Sequence, residues 1–135
     1  MIINGQIDLE NGAHKYRDFV NNNQMVFIDC FKHSIYPGSL NITIFDEFIG
    51  IQEKLNSGFI IPDSIISSLL LRQPVYLGNL QIWKCALWVN EARIFCYLAR
   101  RVGSKVPKST LDLISEIALV DTFSLYHNEF VKIEL

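Results

Sequence analysis

The chain is 135 residues long, 50% apolar and 12% aromatic, which suffices for one hydrophobic core and excludes a disordered or low-complexity protein. Lysine and arginine number 12 against 14 acidic residues, and the net charge of -2 argues against broad electrostatic binding of nucleic acid. Charged residues interrupt every apolar stretch before it reaches bilayer length, so no membrane partner is expected.

Residues 2–7 read as a first strand, residues 8–15 as a polar stretch containing Gly12, and residues 16–20 as a short helix stopped by Asn21, Asn22 and Asn23. The apolar run 25–31 predicts a buried strand. A Pro37-Gly38 turn then feeds a strand over 39–45. Residues 58–62 look strand-like, Asp63 follows Pro62 at a helix N-cap or turn, and residues 64–71 fit either one or two helical turns or irregular cover for the core. Gly78-Asn79, between the apolar runs 74–77 and 80–88, is a hairpin signal, and a turn at Asn90-Glu91 leads to a strand over 92–98. A basic loop spans 100–108, weak helical periodicity links Leu111, Ile114, Ile117 and Leu119, and residues 130–135 close the chain as a strand. Many short strands with one or two short helices predict a single mainly β domain, a small closed barrel spanning 1–135.

The three cysteines, Cys30, Cys85 and Cys96, form no CxxC pair and sit among apolar or aromatic neighbours, as reduced thiols used as small core hydrophobes do. With no basic–apolar leader at Met1, the expected compartment is the cytoplasm. No Ser-His-Asp or Cys-His set, Walker loop, dinucleotide fingerprint or HExxH sequence occurs, which disfavours the usual hydrolases, P-loop NTPases and zinc proteases.

The chemistry concentrates at residues 36–44. On a strand, Ser39, Asn41 and Thr43 share one face while Leu40, Ile42 and Ile44 share the other. A hydroxyl and an amide oxygen two residues apart can hold a hard cation and the phosphates it carries, or can simply satisfy hydrogen bonds after a turn. Two segments together resemble the archaeal CTP-dependent riboflavin kinases, which are small cradle-loop barrels. Tyr36-Pro37-Gly38-Ser39-Leu40-Asn41-Ile42 is similar to that family's Pro-Gly-Thr-Leu-Asn signature. The run from Ser109 through Thr110, Leu111, Asp112, Leu113, Ile114, Ser115 and Glu116 to Ile117, followed by Leu119, Leu125, Asn128, Glu129, Val131 and Ile133, resembles its C-terminal pattern.

The resemblance implies a kinase that transfers phosphate from a nucleoside triphosphate, CTP in the family, to a small alcohol such as riboflavin, with Ser39 and Asn41 on Mg²⁺. The partners would be the nucleotide and a flavin-like substrate. Gly12, with His14 and Lys15, stands where the family's glycine-rich nucleotide loop lies, although one glycine remains of several and a polar connection is the plain alternative. Ser39 replaces the family's threonine, and Val120 stands where the family has an arginine. Arg100, Arg101, Lys105 and Lys108 around Gly103-Ser104 are candidates for an anion or the acceptor side, with a solvated basic loop as the alternative. Asp112 matches a family carboxylate on the flavin side, or is a helix-surface acid. Trp83, Trp88, Tyr76 and Phe95 suit a ring pocket or a barrel core, and His33 stands beside the turn with no partner visible in the sequence. The alternative function is a non-catalytic ligand-binding or protein-interaction barrel that has lost nucleotide binding.

Overall fold

Residues that alternate between inside and outside need a surface to face on each side, and here the strands supply it by closing on themselves. A computed structural model describes residues 1–10, 13–45, 50–56, 60–72, 77–107 and 109–135. The strands are β1 (Ile2–Asp8), β2 (Leu40–Ile44), β3 (Ser64–Ile66), β4 (Leu80–Val89), β5 (Ala92–Arg101), β6 (Thr110–Ile114) and β7 (Phe130–Glu134). All pair antiparallel in the order β3-β4-β5-β6-β2-β1-β7, and β7 pairs back onto β4. Six strands therefore form a closed ring, with β3 added outside it against β4. The mainly β barrel expected from the sequence is the fold of the chain. Four short helices accompany it: α1 (Ala13–Asn22), α2 (Gln24–Phe31), α3 (Gly50–Asn56) and α4 (Leu119–Phe123). Among the described residues no helix is long and apolar enough to cross a membrane.

Two apolar clusters hold this arrangement together. The inner one fills the barrel with Ile3 and Ile7 of β1, Leu40, Ile42 and Ile44 of β2, Trp83 and Leu87 of β4, Leu98 of β5, Leu111 and Leu113 of β6, and Ile133 of β7. Ile51 and Leu55 of α3 and Leu119 of α4 join it. The second lies on the outer face, where Val20 of α1 and Phe27 of α2 pack with Leu80, Ile82, Ala99 and Ile114. β4 and β5 are therefore buried on both faces along part of their length, and read as nearly unbroken apolar runs.

Several local expectations are corrected. Residues 25–31 are helical, because Phe27, Cys30 and Phe31 recur at i, i+3 and i+4 and turn one side to the second cluster while Met25 and Ile28 stay exposed. Asp63 caps no helix: its amide donates to Ile82 O and its carboxylate accepts from the Lys84 amide, which starts β3 on β4. Ser64–Ile66 is a strand, not helical turns or irregular cover. Gly78-Asn79 turns no hairpin, since the Gly78 amide donates to Val102 O and the Val102 amide to Asn79 O, extending the β4–β5 ladder. The reversal lies at Asn90-Glu91, with Asn90 at φ 55. Thr110–Ile114 is a strand despite its helical spacing, because β2 and β5 pair on its two sides. Of the strand-like stretch 58–62, residues 60–62 lie outside any strand, and Gly58, Phe59, Pro74, Val75 and Tyr76 lie outside the described residues.

Gly5 marks the tightest strand crossing. A Cβ there would meet Ile42 Cγ2 and Thr43 O, both at 2.7 Å. Gly5→Ala is expected to destabilise the barrel by ~1–3 kcal/mol through overpacking. Thermal melts followed by circular dichroism should show the midpoint falling by several degrees.

Candidate functional site

The 36–41 segment begins where α2 ends. Lys32 terminates that helix at φ 66, and Gly38 takes φ +148, a value side chains rarely adopt, so a glycine is required there. The Tyr36 amide donates to Ser115 O at 2.8 Å. That bond ties the Pro-Gly turn to the segment leaving β6, and so joins the two stretches that carry the family resemblance. Ser115 is buried, and its hydroxyl accepts from the Ile117 amide at 3.3 Å, holding the connection to α4.

Ser39 and Asn41 do stand side by side: the Ser39 hydroxyl donates to Asn41 Oδ1 at 3.3 Å. Asn41 is only 8% exposed. Strand register places it between Asp8 on β1 and Asp112 on β6, and directly paired residues of antiparallel strands share a face. An amide flanked by two carboxylates is an environment for a cation rather than for a bare phosphate. Among the described residues no group of three or more His, Cys, Asp and Glu side chains is arranged to hold a metal. The oxygen donors of Ser39 and Asn41 fit Mg²⁺ in kind, as partial ligands of an ion that keeps water and substrate phosphate in its shell.

Asp112 is half-buried, and burial pushes its carboxyl up to about 6, against the opposing pull of the Arg100 charge. Its folded value thus lies above the unfolded one, so the folded chain holds the proton more tightly. The contribution of Asp112 to stability is then greatest at low pH and declines as pH rises from about 4 through 6, by ~3 kcal/mol. Asp112→Asn should remove this decline. It is expected to raise stability by up to ~3 kcal/mol near neutral pH and to change little near pH ~4, as measured by urea melts at the two pH values.

A cleft of about 240 Å³ opens beside this row, lined by Arg17 of α1, Tyr36, Ser39, Ser115, Val120 and Asp121 among others. Ser39 lines the cleft and donates to Asn41 of the Asp8–Asn41–Asp112 row, which itself lies outside the cleft's lining. The cleft is smaller than sites that engulf a drug-sized molecule and suits a phosphate-sized group. A larger cleft, about 620 Å³, lies on the outer face of β1, β4 and β7 with Phe45, Trp88 and Phe130 in its walls; of the sequence-predicted candidates it holds Trp88 and none of the metal, nucleotide or anion residues. We place the candidate site at the smaller cleft because the turn and the β6 exit meet there and Ser39, the hydrogen-bond partner of Asn41, lines it.

The remaining candidates are dispersed. Gly12 and Lys108 lie outside the described residues, and His14 and Lys15 fall in the first turn of α1, with only their backbone described. Arg100 and Arg101 end β5 and are buried at 8% and 6% exposure. The Arg101 guanidinium donates to Gly78 O and Leu77 O at 2.8 and 3.0 Å and lies over the Phe19 ring, while Arg100 donates to Val106 O at 3.3 Å. Lys105 is exposed. Trp83 is a core residue, Trp88 is half-buried in the wall of the 620 Å³ cleft, and Phe95 is exposed.

His33 is partnered after all: its Nε2 lies 3.0 Å from Tyr97 Oη, and its Nδ1 lies 2.9 Å from Ser34 O and 3.5 Å from Glu116. Sequence reading missed Arg17, Ser115 and His127. The His127 Nδ1 accepts from the Leu9 amide at 3.1 Å and ties the turn before β7 to the segment leaving β1. Arg17 and Ser115 come together at the cleft only in the folded chain, although Ser115 stands within the C-terminal pattern that carries the resemblance.

No protein-family model and no curated protein matches the chain.

Proposed function

We propose that this barrel is a small-molecule kinase that transfers a phosphoryl group, with the help of Mg²⁺, from a nucleoside triphosphate to a small alcohol such as riboflavin. The observation that carries this reading is the meeting of the Tyr36–Leu40 turn, next to Asn41, with the segment leaving β6 in one phosphate-sized cleft. These are the two stretches on which the resemblance to CTP-dependent riboflavin kinases rests.

Phosphoryl transfer asks the protein mainly for positioning and charge neutralisation, so few groups are needed. Ser39 and Asn41 would hold Mg²⁺, which when bound neutralises charge on the phosphates. Arg17 lines the cleft opposite the turn and supplies the guanidinium that Val120 does not, gripping a phosphate oxygen by a charge-assisted hydrogen bond. Asp112, with its proton affinity raised, takes the proton of the acceptor hydroxyl.

The test is an assay for riboflavin phosphate after incubation with CTP and Mg²⁺, repeated with ATP and GTP. Product formed only with Mg²⁺ supports the proposal. Absence of product together with absence of binding of any nucleoside triphosphate or flavin removes it. The Ser39–Asn41 hydrogen bond, in which the two side chains satisfy one another without a metal, then favours the non-catalytic barrel.

A further inference from the structure

Cys85 and Cys96 are direct register partners on β4 and β5. Their Sγ atoms are 3.5 Å apart inside the barrel, and both residues are buried at 6% and 4% exposure. Directly opposed residues of antiparallel strands have Cα atoms ~4.5 or ~5.5 Å apart, according to their hydrogen bonding. Both spacings fall within the range that disulfides span, ~4.4–6.8 Å. The Cβ atoms of such pairs are ~4.5–5.5 Å apart, against ~3.5–4.5 Å in disulfides, so bond formation asks for a closure of about 1 Å or less between two already paired strands. Both cysteines also line a cleft of about 490 Å³ that reaches the exposed Phe95 ring and Phe123, which gives a small oxidant a way in.

We infer that Cys85 and Cys96 form a redox-convertible dithiol, which a peroxide oxidises to an intramolecular disulfide while the barrel stays folded. One sulfur, having lost its proton, attacks a peroxide oxygen. The O–O bond breaks, a sulfenic acid forms, and the departing oxygen leaves as an alcohol, or as water from hydrogen peroxide, carrying that proton. The second thiol then displaces the hydroxyl from the sulfenic sulfur, forming the S–S bond and releasing water. Two S–H groups and one peroxide become one disulfide, one alcohol or water, and one further water; the two electrons lost by sulfur reduce the peroxide. The hydrogen bond to Cys96, with burial, pushes the Cys85 thiol up. Cys30 is half-buried, lies outside the inner cluster and takes no part. This proposal does not depend on the kinase reading.

The sequence makes the test direct, because trypsin cuts after Lys84, Arg93 and Arg100 and places the two cysteines on separate peptides, 85–93 and 94–100. Folded protein is treated with hydrogen peroxide, blocked with N-ethylmaleimide in denaturant, digested and analysed by mass spectrometry. The expected result is the two peptides joined and lighter by two hydrogens than their sum, with Cys30 carrying maleimide. In Cys85→Ser the linked pair should vanish, and Cys96 should be trapped by dimedone as a sulfenic acid. Linkage formed only when peroxide is added in denaturant overturns the proposal. So does maleimide on both Cys85 and Cys96 after oxidation of the folded chain, or their pairing with Cys30 instead. If Cys85→Ser fails to fold, the wild-type digest alone decides between these outcomes.

Discussion

Asn41→Ala is expected to weaken binding of a magnesium–nucleoside triphosphate complex by about 100-fold or more, or ~3 kcal/mol, while leaving the barrel folded. Asn41 supplies one of the two neighbouring oxygens at the strand mouth, and the flanking Asp8 and Asp112 make the position negative, so a cation is what holds phosphate there. In the fold itself, the change removes the hydrogen bond from the Ser39 hydroxyl, worth ~1 kcal/mol. Ser39→Thr, which keeps the hydroxyl, should bind as the wild type does. Arg17→Gln should weaken nucleotide binding about tenfold without altering the magnesium requirement, because it removes a phosphate contact and not a metal ligand. Titration of each variant with nucleotide, in magnesium and in chelator, separates the two roles.

The largest effect on stability is expected at Trp83. The residue is 2% exposed, packs in the inner cluster with residues of all six ring strands, and donates its indole N–H to Ile60 O at 3.0 Å. Trp83→Ala should cost ~3–5 kcal/mol from lost burial and the cavity left behind. Trp83→Phe, which keeps most of the volume but abandons the Ile60 carbonyl, should cost less. Urea melts followed by circular dichroism measure both, since the substitution removes one of the two tryptophans that fluorescence would follow.

The legible parts of the fold are those where a local pattern and the tertiary environment agree. β1, β2 and β7 each present one face to the barrel interior, so Ile3 and Ile7, Leu40, Ile42 and Ile44, and Val131 and Ile133 alternate as a half-buried strand must. α2 was illegible as a helix because residues 25–31, apolar except for Asp29, also suit a buried strand; the barrel's outer face, which α2 covers, is what selects Phe27, Cys30 and Phe31. Gly78-Asn79 carried a turn signature, yet Val102 pairs with it and prolongs the ladder instead. At the site, the Ser39–Asn41 pair was readable because a strand places i and i+2 together. Arg17 was not, since its place at the cleft depends on α1 packing beside a turn about twenty residues downstream. Arg100 and Arg101 read as an anion or acceptor site or as a solvated basic loop, but β5 extends far enough to bury both against backbone carbonyls.

The Ser39–Asn41 site is tested most directly by calorimetric titration of the protein with CTP, first in Mg²⁺ and then in EDTA, alongside Asn41→Ala. The proposed kinase binds CTP in Mg²⁺, loses that binding in EDTA, and loses it again in the variant. Equal binding by wild type and Asn41→Ala regardless of Mg²⁺, or no binding of any nucleoside triphosphate by the wild type, would contradict it.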